Sequence, residues 1–172
     1  MELVDLYDEN RIPLGKTGER HEKHAPGEYR TVVHVCVFDR RGRLLIQQRT
    51  LEKVIWPGMW DVSVGGGVDA GETSRQGAER EFREELGYPL DLTGVRPTVT
   101  VHFSGGFDDF FLVVRDLPLE RLTLQTEEVS AVRYVTLEEL LAMVEDGSFI
   151  PYPPGFLRYL FETRDTFGFP TK

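Results

Sequence analysis

GGGVDAGETSRQGAEREFREELGY, residues 65–88, opens on three glycines and then crowds five glutamates and three arginines into one short segment. Thr73 or Ser74 is placed to cap a helix after the turn at Asp69, Ala70 and Gly71. Ala78, Phe82 and Leu86 recur every four residues, the apolar stripe of a helix packed on a sheet. Glu81, Glu84 and Glu85 stand at i, i+3 and i+4, so their carboxylates share one face beside that stripe. Glu79 with Arg83 and Arg80 with Glu84 are spaced as ordinary i, i+4 pairs, which leaves Glu81 and Glu85 unmatched one turn apart. Such a like-charge pair costs a few tenths of a kcal/mol, roughly, in an isolated helix, and a divalent cation would offset it. Gly65 to Gly67 let a carbonyl turn inward and let a large anion approach the backbone. Carboxylate and carbonyl oxygens are the donors that Mg2+ or Mn2+ takes, so the expectation is a metal site rather than a salt-bridged surface face.

Outward from this segment the chain alternates strands and helices. VDLYDENRIPLG (4–15) reads as a hairpin around Asp8, Glu9 and Asn10, and KTGERHEKHAPGEY (16–29) as a polar loop. TVVHVCVFD (31–39) is apolar on both faces, as a central strand is, and RLLIQQRT (43–50) is expected to return beside it. MWDVSVGG (59–66) reads as a third strand, alternating Trp60, Val62 and Val64 with Asp61 and Ser63. TVTVHFS (98–104) and DFFLVVRD (109–116) flank Gly105-Gly106 as a second hairpin, and VSAVRYV (129–135) adds a strand. TLEELLAMVEDG (136–147) is a helix capped by Thr136 and ended by Gly147, and after PYPPG a last helix occupies about 154–165. The expected class is α+β, one domain over 1–172, with helices packed on a mixed sheet.

The chain has 172 residues and a net charge of -9, without a basic run, which argues against a nucleic acid polymer as partner. An acidic protein that handles phosphates needs positive charge from elsewhere, most simply a bound metal ion. Cys36 is the sole cysteine, so neither a disulfide framework nor a cysteine metal cluster is available. MELVDLYDENRIPLG lacks the apolar core of a signal peptide, and no run reaches membrane-spanning length, so a cytoplasmic location and no membrane partner are expected.

The segment Gly66, Glu72, Arg80, Glu81, Phe82, Glu84, Glu85, Gly87, Tyr88 resembles the signature of the Nudix hydrolases, with each polar and glycine position met and only Tyr88 departing from the usual aliphatic residue. The similarity continues into GRLLIQQRT, PGMWDVSVGG and EEVSAVRYVTLEELL. It implies an α/β/α sandwich and hydrolysis of a nucleoside diphosphate linked to another moiety, with Mg2+ or Mn2+. Position by position, Glu81 and Glu85 would be metal ligands, Glu84 a further ligand or water-orienting acid, and the Gly65 or Gly66 carbonyl another ligand. Glu72 and Arg80 would brace the loop. The general base would be Glu81 in the box, or Glu127 or Glu128 on a later loop, a pair that reads equally as a solvated turn. The partner implied is a small-molecule diphosphate, and a homodimer stays open.

Outside the box, Arg49 ends a strand where it can hold a phosphate. Trp60, with Trp56, Phe103 and Phe107, can stack on a base, although aromatics in a compact domain are more often core. His34 and Cys36 share one face of the central strand and read as packed core groups. The opening, residues 4–39, is similar to that of isopentenyl diphosphate isomerases, which carry the same fold. Those enzymes need a cysteine just before the box and a histidine-rich metal site, whereas MWDVSVGGGV has no cysteine and Tyr29 stands where a metal histidine is expected. A fold kept only for binding is disfavoured because no box acid is missing.

Overall fold

The structure is a computed structural model that describes residues 2–166; Met1 and residues 167–172 of the expected domain lie outside them. In chain order the described residues form β1 (Leu3–Tyr7), β2 (Pro13–Glu19), β3 (Arg30–Phe38), β4 (Leu44–Arg49), β5 (Trp60–Val62) and β6 (Val64–Gly67). Helix α1 (Ser74–Leu86), β7 (Val99–Phe103), β8 (Gly106–Val114), β9 (Val129–Val135), α2 (Leu137–Glu145) and α3 (Pro154–Thr163) follow. β1 and β2 are a separate antiparallel hairpin, and the other seven strands make one mixed sheet. β3 lies parallel to β8 along its whole length and antiparallel to β6.

Alternation along β3 sorts the core into two layers. Val33, Val35 and Val37 face Ala78, Phe82 and Leu86 of α1, while Cys36 and Phe38 face Leu140 of α2 and Leu157, Leu160 and Phe161 of α3. A β-branched strand buried on both faces is what a sheet sandwiched between helices requires. The arrangement is an α/β/α sandwich in a single α+β domain. Both α1 and α2 start on capping boxes, Thr73 with Gln76 and Thr136 with Glu139. α1 stops at Gly87, whose φ of 62° and closeness to Thr123 exclude a side chain.

Three expectations need correction. β4 does not pair along β3: the two meet only at Phe38 and Leu44, and β5–β6 fills the wedge between them, β5 on β4 and β6 on β3. The single strand expected over 59–66 is accordingly broken at Ser63, and its polar residues Asp61 and Ser63 are buried. Ser63 Oγ satisfies itself by accepting from Val37 N at 2.8 Å and donating to Leu45 O at 2.6 Å, which ties β3 to β4 across the wedge. The polar segment after Gly15 is not all loop, since β2 runs to Glu19. This hairpin is pinned to the sheet by Arg11, whose guanidinium forks onto Asp109, a buried carboxylate that also accepts from Ser74 and Thr100. Burial raises the Asp109 pKa, but these donors outweigh it and hold the group below its ordinary value.

Candidate active site

The end of β6 sets the geometry. Successive glycines face opposite sides of the sheet: a Cβ on Gly66 would lie 2.0 Å from the Glu81 carboxyl carbon, one on Gly65 2.5 Å from the His34 ring, and one on Gly67 2.6 Å from Arg20 Nε. The triple glycine is therefore a requirement of close approach on both faces. Arg80 fastens the loop that follows, donating from Nε to Glu72 at 3.0 Å and from Nη2 to the Gly67 carbonyl at 2.8 Å. Glu72 in turn accepts from Asp69 N at 3.1 Å, closing the turn into α1.

Glu81 and Glu85 are both 5% exposed. Glu81 is not unmatched: Arg20 Nη2 donates to it at 2.8 Å and Arg80 Nη1 lies 3.1 Å away. Burial still raises its pKa against the pull of both arginines. Among the described residues Glu85 has no cation in contact, only Gln47 Nε2 donating at 3.0 Å, and burial followed by the charge of Glu81 pushes it up to about 8. Glu84 pairs with Arg80 at 3.0 Å as its spacing implied, whereas Glu79 turns from Arg83 to accept from Leu92 N at 2.7 Å.

Among the described residues no three acidic, histidine or cysteine side chains are arranged as a ready metal cage. The donor set nevertheless fits a hard cation. Two buried carboxylates one turn apart both resist ionisation, and Gln47 Oε1 beside Glu85 is a buried acceptor with no partner. A hydrated divalent ion would reverse the first penalty and supply hydrogens to the second.

Beside this acid pair, on the opposite face of the glycine strand, lies a cleft of about 360 Å³. Its charged lining is mostly cationic, with Arg20, Arg30, Arg49, Lys53 and His34 against Asp61, and Trp56, Ile55, Ile150 and Tyr152 supply apolar wall. In a chain of net charge -9 this is a marked local reversal, and it suits a multiply charged anion. Arg49 lines the cleft as expected and is steadied by Ile55 O at 3.1 Å and Asp61 at 3.7 Å. Glu127 and Glu128 line an adjoining hollow; Glu127 is exposed and Glu128 is paired with Lys53.

Trp60 does not line the cleft. It packs on the apolar layer under the Arg133 guanidinium, 5.0 Å from its ring centre, and Trp56 takes the cleft wall instead. His34 is also not an apolar core group: it bonds Asp108 at 2.7 Å and forms part of the cleft floor. Cys36, two residues on, is fully buried beneath α2 and α3, so no thiol reaches the cleft. Arg20 was missed altogether, because only the fold of the hairpin brings it to Glu81, 61 residues away.

A family model described as NUDIX domain matches residues 28–153. A Nudix hydrolase of Listeria innocua is 52% identical over 165 residues, 96% of each chain. An isopentenyl-diphosphate Delta-isomerase of Streptomyces avermitilis is 32% identical over 146 residues, covering 80% of this chain and 73% of the isomerase. A crystal structure from Deinococcus radiodurans superposes with a TM-score of 0.72 at 25% identity, covering 91% of this chain and 98% of the other. No helix among the described residues is long and apolar enough to cross a membrane.

Proposed function

This chain belongs to the Nudix family of pyrophosphohydrolases, and on that premise we propose that it cleaves the diphosphate of a nucleoside diphosphate derivative with Mg2+ or Mn2+ held by its box. The observation that carries the proposal is the buried pair Glu81 and Glu85 beside a cationic cleft. Glu81 and Glu85 are assigned as metal ligands, with Glu84 and the Gly65 or Gly66 carbonyl as further donors. When bound, the ion neutralises phosphate oxygens and acidifies water. Arg20, which donates to Glu81 and lines the cleft, would be free to contact the substrate's phosphate if that carboxylate served as a metal ligand. Glu81 is also the box candidate for the base that accepts the proton of the attacking water. Glu127 and Glu128 are the second candidates, and the pairing of Glu128 with Lys53 ranks them behind it. Glu72 and Arg80 hold the loop in place without touching substrate. Arg49 and Lys53 complete the phosphate contacts.

The isomerase-like alternative, which the 32% match keeps in view, is weakened by the burial of Cys36. Exhaustive chelation is expected to leave a folded, cooperatively melting protein that releases no product from a panel of nucleoside diphosphate derivatives, and Mg2+ restores release. Activity that outlasts chelation would end the metal mechanism. Isopentenyl diphosphate belongs in the same panel: its isomerisation, with the other compounds left intact, would reverse the assignment.

A further inference from the structure

Arg20 belongs to the cleft and to the acid pair at once. It crosses Gly67, where a Cβ would come within 2.6 Å of its Nε, and it shares the cleft lining with Arg30, Arg49, Lys53 and His34. Its Nη2 meanwhile donates to Glu81 Oε1 at 2.8 Å. Arg49 pairs with Asp61, Lys53 with Glu128 and His34 with Asp108. Among the described residues Arg20 is therefore the one cleft cation paired with an acid of the box. The long-range fold builds this contact, since β2 ends at Glu19 and Arg11 pins that hairpin onto Asp109.

The two arginines on Glu81 are not equivalent. Both address the same oxygen, Oε1, Arg80 through Nη1 at 3.1 Å. Arg80 is committed elsewhere as well, to Glu72 at 3.0 Å, to the Gly67 carbonyl at 2.8 Å and to Glu84 at 3.0 Å. Arg20 has one other acidic partner among the described residues, Glu2 at 2.9 Å, whose side chain is 55% exposed and holds it weakly. A guanidinium and a divalent cation on one buried carboxylate repel each other. Arg20 is the one of the pair that can yield, and the cleft is where it can go.

We propose that Arg20 is a positioning residue shared between Glu81 and the phosphate of the substrate, so that it opposes a metal ion at the box until an anion in the cleft takes the guanidinium over. The proposal rests on the reading of Glu81 as a metal ligand and of the cleft as the diphosphate site. Paired with Glu81, Arg20 weakens the hold of the box on a bare ion. Transferred to a phosphate, it both relieves that repulsion and adds a charge-assisted contact to the anion. Ion and anion therefore strengthen each other's binding by a common factor, to which Arg20 contributes beyond their direct contact.

Titration of the whole chain with Mn2+, followed by calorimetry, tests this without turnover. Arg20→Gln and Arg20→Met, which remove the charge and leave Arg80 on Glu81, should bind Mn2+ about tenfold more tightly than the parent, the worth of one hydrogen bond to a charged group. A merely structural role for Arg20 would weaken binding instead. Arg30→Gln, which removes a cleft cation that does not touch Glu81, should leave Mn2+ affinity near the parent value. Saturating adenosine 5′-monophosphate should tighten Mn2+ binding more in the parent than in either Arg20 variant. Unchanged or weaker Mn2+ binding by both Arg20 variants overturns the proposal, as does an equal gain in Arg30→Gln or an equal nucleotide effect in parent and variants. Failure of every protein to bind Mn2+ overturns the metal reading of the box itself, and the role of Arg20 with it.

Discussion

Glu85→Gln will slow Mg2+-supported hydrolysis about a thousandfold and, without metal, raise the melting temperature of the protein above pH 8. The two effects have one cause. Glu85 is 5% exposed and touches no cation among the described residues, so its charge is costly in the folded protein, and on the proposed function a metal ion would share it. In the unfolded chain it loses its proton near the ordinary value of 4.5, whereas burial and the neighbouring Glu81 keep it protonated up to about 8 when folded. Across that window the folded state binds more protons than the unfolded one, so unfolding free energy falls as pH rises. Stability from this group is complete below pH 4.5 and lost by about pH 8. Glutamine does not titrate, so the gap between variant and parent opens over the same window and levels off above it, on the order of a few kcal/mol. The new amide can also accept from Gln47 Nε2 and donate to Gln47 Oε1, which has no partner among the described residues. Melting curves at pH 5 and pH 8.5 and one hydrolysis assay decide the matter. A variant that melts below the parent at the higher pH and still turns over normally would make Glu85 a structural acid.

The parts of the fold legible in sequence were those set by local pattern. Ala78, Phe82 and Leu86 announce the buried stripe of α1, and Thr73 and Thr136 announce helix starts, because spacing and capping act within a few residues. What escaped depends on distant chain. Asp61 and Ser63 read as the polar half of an alternating strand, and the pattern does not reveal that β5–β6 is wedged between β3 and β4, where both faces are covered. His34 read as core because its neighbours are valines; its true role follows from the parallel pairing that sets Asp108 beside it. The box acids were legible as a group, yet their electrostatic inequality was not. Arg20 reaches Glu81 only because Arg11 and Asp109 pin the hairpin to the sheet, and Glu85, one turn deeper, meets Gln47 instead. A signal for Arg20 does exist: it sits in a polar segment between a hairpin and a central strand, where a long cation reaches the strand ends. The sequence offers several such cations and does not rank them.

Phe82→Ala will separate the two faces of α1 in the opposite sense to Glu85→Gln. Phe82 has no exposed surface and lies among Val33, Val35, Val64 and Phe111 in the layer beneath the helix. Emptying that site should cost about 3–5 kcal/mol, the transfer of the ring plus the cavity left in a layer of β-branched residues that cannot collapse to fill it. For a chain of this size each kcal/mol is about 2–4 °C, so the melting temperature should fall by roughly 10 °C. Glu81 and Glu85 flank Phe82 in sequence but are held by their own contacts, Glu81 by Arg20 and Arg80 and Glu85 by Gln47. Helix α1 is also fastened at both ends, at Thr73 by its capping box and at Gly87 by its bond to Arg83 O. Those constraints should keep the carboxylates in register, so that turnover per folded molecule stays near the parent at temperatures well below the melt. The measurement is hydrolysis at 10 °C, corrected for the folded fraction by circular dichroism. A loss of about a hundredfold under those conditions, with the protein still folded, would mean that the ring positions the acids directly. The apolar stripe and the acidic face would then form one catalytic unit rather than a scaffold and a site.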